Sequence, residues 1–301
     1  MSQARATPID LPLPGGQAGA SVTLHPLLCA EMIGPPGWFH RLSGPSASLK
    51  ALGIGVPRSE YIRVPIVAFL IEHPSAGAIL IDTGFHASAI TRSHRNLGLF
   101  GALTTRGIKM QEDGTVAAQC RGLGVDPATV ALIVMTHLHF DHASALADFP
   151  GATVLVSEPE WKSAVGPGAG TRGYVRAQLD PRPSYRTIDF SDPNASRRGP
   201  FDLTLDLLGD GSIVALFTPG HSAGHMSIIV RLSNREALIA GDAIYTMATL
   251  REDERPWRSE DSSAFERSLS ALKKYDQEHP DALIIPGHDM DAWERLEPSY
   301  T

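Results

Sequence analysis

Short apolar runs rich in β-branched residues recur along this chain, and glycine or proline bounds many of them. Runs of this length and composition predict β-strands. The predicted strands are VPIVAFLIEH (64–73), GAILIDTG (77–84), ALIVMTH (131–137), ATVLVS (152–157), GSIVALFTPG (211–220), MSIIVRL (226–232), EALIAGD (236–242) and ALIIPGHD (282–289).

Three segments between these strands have the periodicity or the start signals of helices. They are GTVAAQCRGLG (114–124), EPEWKSAV (158–165), in which Pro159 suits a first turn, and DSSAFERSLSALKKYDQ (261–277). The alternation of strands and helices predicts a mixed α/β protein. AILIDTG, a helix and ALIVMTH form a β-α-β theme, and EALIAGD, a helix and ALIIPGHD repeat it. This similarity suggests an internal duplication.

Residues 165–200 interrupt the pattern with glycine, proline, arginine and serine. A stretch of this kind predicts a long loop, which can be a lid, an interaction surface or a solvated connection. The chain contains no convincing linker between separate domains. We therefore expect residues 1–301 to form a single domain that carries a lid or interaction insertion at 165–200.

Charge and cysteine content narrow the classes of partner and compartment. With 26 basic and 33 acidic residues the formal charge is −7, which disfavours nucleic acid as a partner. Cys29 and Cys120 form no CxxC pair, so we expect buried thiols and no disulfide framework. The first residues, MSQARATPIDLPLPGG, lack the apolar core of a signal peptide, and no run approaches the ~18 apolar residues of a membrane span. These features predict a cytoplasmic protein with no membrane partner.

The segment MTHLHFDHAS (135–144) concentrates metal-ligand residue types: His137, His139, Asp141 and His142. His137 and His139 follow a predicted strand with i, i+2 spacing, which places both imidazoles on one face. Asp141 and His142 come as the chain turns, so we expect them to face a second position nearby. Four such residues are hard to accommodate as core residues, because buried imidazoles need partners and repel each other when protonated. The pattern therefore predicts a two-metal site.

Two metals need further ligands, and three later strand ends supply them. They are His221 in TPGHSAGH, Asp242 in IAGDAIY and His288 in IPGHD. A carboxylate has two oxygens and can bridge two cations, so Asp242 is the natural shared ligand. The predicted first group is His137, His139 and His221, and the predicted second group is Asp141, His142 and His288.

The predicted ligands are nitrogen and oxygen donors without a thiolate. This donor set favours zinc and leaves iron, manganese and cobalt open. Two cations about 3.5–4 Å apart that share a water lower its pKa and provide a hydroxide near neutral pH. Hydrolysis is the expected chemistry. Asp82 in LIDTGF is a candidate outer carboxylate for a ligating imidazole or, alternatively, a turn residue before Gly84, and His225 is either an outer partner or a structural histidine.

The segments LIDTG, THLHFDH, TPGHSAGH, GDA and PGHD resemble the metallo-β-lactamase-fold superfamily, with all seven ligand positions in order between residues 60 and 290. The resemblance implies an αββα sandwich with a dinuclear metal site at the edge of the two central sheets. Dinuclear β-lactamases typically have a cysteine where this chain has Asp242. Oxygen-reducing di-iron flavoproteins resemble H-x-E-x-D-H, whereas position 139 is histidine.

Within the superfamily, HLHFDHAS and GDAIYT resemble the quorum-quenching N-acyl homoserine lactonases. Tyr245 stands three residues after Asp242, where those enzymes have a tyrosine that contacts the substrate carbonyl; a core tyrosine is the alternative. The resemblance implies a small-molecule lactone as substrate, opened by a metal-bridging hydroxide. Asp141 would both bind the second metal and pass a proton to the departing alkoxide.

Other activities of the fold remain as alternatives to the lactonase interpretation. They are lactonases of other ring systems, thioester hydrolases of the hydroxyacylglutathione type and phosphotriesterases, and a metal-binding scaffold without catalysis is a further class. An acylated lactone would also need an apolar wall, for which Trp38, Phe39 and Phe140 are candidates that also suit a core. These residues leave the oligomeric state open, and a homodimer is one alternative.

Overall fold

The strands form two sheets in this computed structural model, which describes residues 4–98, 101–102, 105–179 and 183–301. Within these residues the first sheet contains β1 (Ala6–Pro8), β2 (Thr23–Gly34), β3 (Ile62–His73), β4 (Gly77–Ile81), β5 (Arg106–Lys109), β6 (Leu132–Val134), β7 (Thr153–Ser157) and β8 (Ser184–Ile188). Its spatial order is β1-β8-β7-β6-β4-β3-β2-β5. The second sheet contains β9 (Ser196–Arg198), β10 (Phe201–Asp206), β11 (Ile213–Phe217), β12 (Met226–Arg231), β13 (Glu236–Gly241) and β14 (Leu283–Pro286). Its spatial order is β14-β13-β12-β11-β10-β9.

The helices lie mostly between strands in the chain. In the described residues they are α1 (Pro36–Phe39), α2 (Ala47–Ala51), α3 (Ser88–Thr91), α4 (Ser93–Asn96), α5 (Val116–Gly122), α6 (Glu158–Val165), α7 (Met247–Arg251), α8 (Ser262–Glu278) and α9 (Met290–Trp293). Single 3₁₀ turns occur at Arg58–Glu60, Pro127–Thr129, Leu146–Asp148, Ala169–Arg172 and Arg176–Gln178. No helix among these residues is both long enough and apolar enough to cross a bilayer.

Alternating side chains of the central strands build a core on both faces of each sheet. In β4, Ile79 and Ile81 pack between the sheets with Ile228 of β12, whereas Leu80 points to the outer helices of the first sheet. In β12, Ile229 points to the outer layer that contains α8. Strands buried on both faces need apolar residues at consecutive positions. The layers therefore form an αββα sandwich, which confirms the predicted fold class.

The predicted β-α-β theme occurs in each sheet. β4 and β6 are parallel neighbours with α5 between them in the chain, and β13 and β14 are parallel neighbours with α8 between them. Each of these four strands ends just before a polar residue of interest: Asp82, His137, Asp242 and His288. Since the carboxyl ends of parallel strands meet at one edge of a sheet, this arrangement brings distant parts of the sequence together.

The predicted loop at 165–200 is wrong in part. Residues 180–182 lie outside the described residues, but β8 pairs with β7 and β1 as an integral strand of the first sheet, and β9 pairs with β10. In β8 the side chains of Tyr185 and Thr187 are buried, as expected of alternating strand positions. Prolines and polar residues around them in the sequence hide this alternation. Among the described residues of this segment, 189–195 and most of 166–179 lie outside strands, and a lid or interaction role for them stays a prediction.

Both cysteines are buried and free, as expected. Burial raises the pKa of the Cys29 thiol to about 12 and that of the Cys120 thiol to about 11. A thiol becomes a nucleophile or a metal ligand only as a thiolate. These residues therefore serve as small core side chains.

Candidate metal centre

The motif 137–142 lies in a loop after β6 rather than in the strand itself. The strand ends at Val134, His139 forms an isolated bridge with Tyr174, and the Phe140 N–H donates to the Gly173 carbonyl at 3.0 Å. The structure brings ring nitrogens of His137 and His139 to within 4.8 Å of each other, a convergence that was predicted from strand alternation. The reason differs, because the loop and its bridge to Tyr174, and not strand alternation, aim the side chains.

The first group, His137, His139 and His221, brings three ring nitrogens together. His221 Nε2 lies 2.8 Å from His139 Nδ1 and 3.2 Å from His137 Nε2. Burial lowers the pKa of His137 and of His221 well below the ordinary value, and lowers that of His139 to about 4. The rings are thus neutral near pH 7, and converging lone pairs repel one another unless they share a cation.

The second group, Asp141, His142 and His288, lies beside the first. His288 Nε2 is 3.4 Å and His142 Nε2 is 3.8 Å from Asp141 Oδ2. All three side chains are nearly inaccessible to solvent. Burial opposes protonation of His142, but the carboxylates of Asp242, Asp141 and Asp82 outweigh it and raise the pKa of His142. This group provides one carboxylate and two imidazoles.

Asp242 faces both groups, one oxygen to each. Its Oδ2 lies 3.2 Å from His221 Nε2 and 3.8 Å from His137 Nε2. Its Oδ1 lies 3.3 Å from His142 Nε2 and 3.2 Å from His288 Nε2. Burial disfavours the charged form, but the surrounding imidazoles outweigh this effect and hold the pKa of Asp242 well below its ordinary value. This is the arrangement expected of a carboxylate that bridges two cations.

The outward nitrogens of four of the five histidines meet a hydrogen-bonding oxygen. His142 Nδ1 lies 2.8 Å from the Asp82 carboxylate, and His288 Nδ1 lies 3.2 Å from the Pro65 carbonyl. The corresponding nitrogens are 3.1 Å from the Thr136 hydroxyl for His137 and 3.2 Å from the Tyr245 hydroxyl for His221. Metal-binding histidines typically donate their second ring N–H in this way, which fixes the tautomer and aims the other nitrogen at the metal.

Three buried polar atoms at this site have no hydrogen-bond partner among the described residues: His139 Nε2, His142 Nε2 and Asp242 Oδ1. Two of them, His142 Nε2 and Asp242 Oδ1, face the space between the ligand groups. Buried polar atoms are normally satisfied, so unpartnered ones need a physical account. Three triads of ligand atoms, each within 4.8 Å of one another, lie here, and their members are all predicted ligands. The donor set thus fits two divalent cations.

Asp82 and His225 occupy outer positions around the ligands. Asp82 has a positive φ of 58°, and its carboxylate accepts from Thr136 N at 2.8 Å, from Thr136 Oγ1 at 2.7 Å and from the His142 ring. A strained non-glycine residue of this kind is typical of functional sites. His225 Nε2 accepts the Asp242 N–H at 3.0 Å, and its Nδ1 meets Thr218 Oγ1. His225 therefore positions Asp242.

Tyr245 is a buried residue that lines the cavity beside the two ligand groups. Burial, together with the carboxylates of Asp242 and Asp141, raises the pKa of its phenol well above the ordinary value. If His221 held a cation through Nε2, its proton would be on Nδ1 and would donate to the Tyr245 oxygen, which lies 3.2 Å away. Sequence reasoning predicted the phenol at the site but not its contact with His221.

A cavity opens beside the two ligand groups, and both apolar and charged side chains line it. One wall is apolar: Phe39 lies with its ring centroid 5.9 Å from that of Tyr245 and 6.2 Å from that of His288. The apolar lining includes Met32, Pro35, Trp38, Phe39, Ala51, Leu52 and Phe140, and the charged lining outside the ligand groups includes Arg172, Arg258 and Glu260.

Sequence reasoning missed the carboxylate of Glu160 and the hydroxyl of Thr136, both of which contact the ligand-bearing loops. Thr136 belongs to the quoted segment MTHLHFDHAS but is not a metal-ligand residue type, and Glu160 lies in a predicted helix with no local signal that marks it. Six further histidines lie outside both ligand groups: His25, His40, His73, His86, His94 and His279. Some of them contact carboxylates elsewhere, for example His73 with Asp210 at 3.0 Å and His25 with Glu72 at 2.7 Å.

Comparisons with known proteins agree with this geometry. The sequence model of the family described as Metallo-beta-lactamase superfamily matches residues 61–288. The chain is 35% identical to the N-acyl homoserine lactonase AttM of Agrobacterium fabrum over 233 residues, which cover 76% of this chain and 84% of that protein. It is 28% identical to the N-acyl homoserine lactonase AiiA of Bacillus thuringiensis subsp. kurstaki over 246 residues, 79% of this chain and 88% of that protein.

Among solved structures, an N-acyl homoserine lactone hydrolase with the product N-hexanoyl-L-homoserine bound at its catalytic metal centre superposes with a TM-score of 0.71. The superposition covers 93% of this chain and 100% of that chain, and at 22% identity the likeness concerns the fold. The family match covers most of the chain, and a relative above 30% identity covers most of it as well. The chain belongs to the metallo-beta-lactamase superfamily.

Proposed function

We propose that the protein is a metal-dependent hydrolase that opens the lactone ring of N-acyl homoserine lactones. The main support is the position of the Asp242 carboxylate, which directs one oxygen to each of the two ligand groups. The Tyr245 phenol and an apolar cavity wall lie directly beside it. The relatives named as N-acyl homoserine lactonases support the choice of substrate class.

The proposed cofactor is a pair of zinc ions. His137, His139 and His221 would hold one ion, Asp141, His142 and His288 the other, and Asp242 would bridge them. Bound divalent cations would supply a hydroxide nucleophile near neutral pH and polarise the lactone carbonyl. Nitrogen and carboxylate donors without thiolate suit zinc.

Asp141 has the placement of a proton carrier. It is nearly buried, lines the cavity and lies 3.4 Å from His288 Nε2 through Oδ2. Attack on the lactone carbonyl would form a new C–O bond, and collapse of the tetrahedral intermediate would break the ring C–O bond and expel an alkoxide, which departs readily only when it is protonated. We assign to Asp141 the transfer of the proton lost by the nucleophile to that alkoxide oxygen.

The Tyr245 phenol is assigned to the oxygen on which negative charge develops. The Tyr245 hydroxyl lies 3.2 Å from His221 Nδ1 and lines the cavity, which places it to donate to a substrate oxygen. Tyr245→Phe should lower kcat/KM about tenfold to a thousandfold, because this interaction forms in the transition state. Metal content, measured on the same preparation, should stay unchanged. The matched control is Tyr275→Phe, which removes a hydroxyl of α8 that donates to Glu236 away from the ligand groups, and it should leave kcat/KM unaltered. An equal loss in both variants would contradict the assignment.

The apolar wall predicts a preference for longer acyl tails. Each buried methylene contributes at most about 0.8 kcal/mol, so KM should fall by up to about fourfold per added methylene until the wall is covered. Trp38→Ala, at a half-buried aromatic residue of this wall, should flatten the series. Leu123→Ala, at an exposed leucine after α5, is the control. KM values independent of tail length in the unaltered enzyme would exclude the apolar wall as the tail site.

A substrate panel tests the proposed function as a whole. Zinc-loaded enzyme is assayed against N-acyl homoserine lactones of several tail lengths, a simple lactone, a glutathione thioester and an aryl phosphotriester. We expect the acyl homoserine lactones to be cleaved with the highest kcat/KM, to the ring-opened acids. Cleavage of a thioester or phosphotriester with every acyl homoserine lactone left intact would replace the proposed substrate class. Two bound ions with no turnover on any substrate would indicate a metal-binding protein without catalysis.

A further inference from the structure

Glu160 is a fully buried carboxylate in the first turn of α6, outside the ligand set. Its Oε1 accepts the Leu138 N–H at 2.9 Å. Its Oε2 accepts the Ser222 hydroxyl at 2.7 Å and the Gly224 N–H at 3.1 Å. One side chain thereby ties together two loops that are more than 60 residues apart in the chain.

The donors that Glu160 binds flank the histidines of the first group. Leu138 lies between His137 and His139, and Ser222 directly follows His221. The carboxylate therefore holds the backbone on both sides of the space where the three ring nitrogens converge. Buried carboxylates are expensive unless every oxygen is satisfied, and here both oxygens accept hydrogen bonds.

Helix α6 fixes the position of this carboxylate. Ser157, the N-cap of α6, accepts the Glu160 N–H at 3.3 Å and donates its hydroxyl to the Gly224 carbonyl at 2.6 Å. The helix end approaches so closely that a Cβ on Gly224 would lie 2.2 Å from the Glu160 nitrogen. The loop after His221 is thus anchored to a rigid helix rather than to the other ligands.

We propose that Glu160 is a positioning residue that sets the metal affinity of the three-histidine group by holding its two loops at a fixed separation. Asp82 has the matching role for the second group, through its bond to the His142 ring at 2.8 Å. This inference rests on the two-metal site of the proposed function. It assigns each of two buried carboxylates to a different ion.

The experiment measures zinc affinity directly, by competition of the zinc-loaded enzyme with a chromophoric chelator. Glu160→Gln keeps the shape but places an amide N–H₂ against at least one of the three donors, in either orientation of the amide. We expect it to weaken one of the two bound ions about 10- to 100-fold, the usual effect of losing an outer partner, and to leave the other ion tight. Asp82→Asn should weaken the other ion by a similar factor. Glu158→Gln, at the exposed start of the same helix, is the matched control and should change neither ion.

The double variant Glu160→Gln/Asp82→Asn decides whether the carboxylates serve different ions. If they do, both ions weaken, each by its single-variant factor; one ion that keeps its original affinity would overturn the assignment. A merely structural role for Glu160 would lower the melting temperature equally with and without zinc and weaken both ions alike, which would also overturn it. If Glu160→Gln does not fold, Ser222→Ala removes one donor, and an unchanged zinc affinity there would contradict the proposal. No substrate enters these measurements, so their outcome is independent of the lactone assignment.

Discussion

Asp242→Ala should remove bound metal and activity together. The change deletes the only side chain that faces both ligand groups in the described structure, with oxygens 3.2 Å from His221 and 3.2 Å from His288. Without the shared carboxylate, two like-charged cations would lie side by side with one bridging anion fewer to offset their repulsion. We expect metal content to fall from about two ions per chain to one or none, and kcat/KM to fall by at least about 10³-fold.

Metal analysis and kinetics on the same preparation check this prediction. The control is Asp281→Ala, at an exposed aspartate before β14, which should keep both ions and full activity. An Asp242→Ala enzyme that retains two ions and wild-type turnover would refute the bridging assignment. Wild-type enzyme that is fully active with a single ion would refute the two-metal site itself.

Asp141→Asn should depress kcat by about 10²- to 10⁴-fold, the usual contribution of a positioned acid or base. An asparagine retains an oxygen that can contact a cation, but it has no carboxyl proton to deliver to the alkoxide. The effect should therefore appear in kcat, with metal content close to that of the unaltered enzyme.

The leaving group offers an internal control for Asp141. In an N-acyl homocysteine thiolactone the departing group is a thiolate, whose conjugate acid has a pKa of about 8.5 and which leaves without a proton donor. Asp141→Asn should slow cleavage of the thiolactone far less than that of the oxygen lactone. Equal slowing of both substrates would indicate that Asp141 acts only by binding metal, and unchanged kcat with both ions present would remove it from the mechanism.

Elements with strong local signals were predicted from sequence almost to the residue. α6 was expected at 158–165 and spans Glu158–Val165, and α8 was expected at 261–277 and spans Ser262–Glu278. Proline in the first turn of α6 and an amphipathic pattern along α8 are local features, so no knowledge of neighbours is needed. Strands β2, β8 and β10 were not predicted, because polar residues and proline interrupt their apolar alternation. Pairing with adjacent strands, and not intrinsic preference, makes them strands.

The sequence alone determined the chemistry of the site. The residue types and spacing of MTHLHFDHAS, with His221, Asp242 and His288 at later strand ends, specified nitrogen and oxygen donors for two cations. The apolar runs likewise determined an α/β fold, because burial and ligand chemistry are properties of individual residues and their near neighbours.

The tertiary structure alone decided how those donors are held and which other side chains matter. Asp82 reaches His142 across 60 positions in the chain, and Glu160 reaches Ser222 across 62. The sequence offered Asp82 as an outer carboxylate without naming its imidazole, and it carried no signal for Glu160, because such contacts depend on how the two sheets and α6 pack. Packing likewise decided that each oxygen of Asp242 faces a different ligand group and that Tyr245 meets His221. Distances between atoms far apart in sequence are set by the whole core, whereas donor identity is already present in each residue.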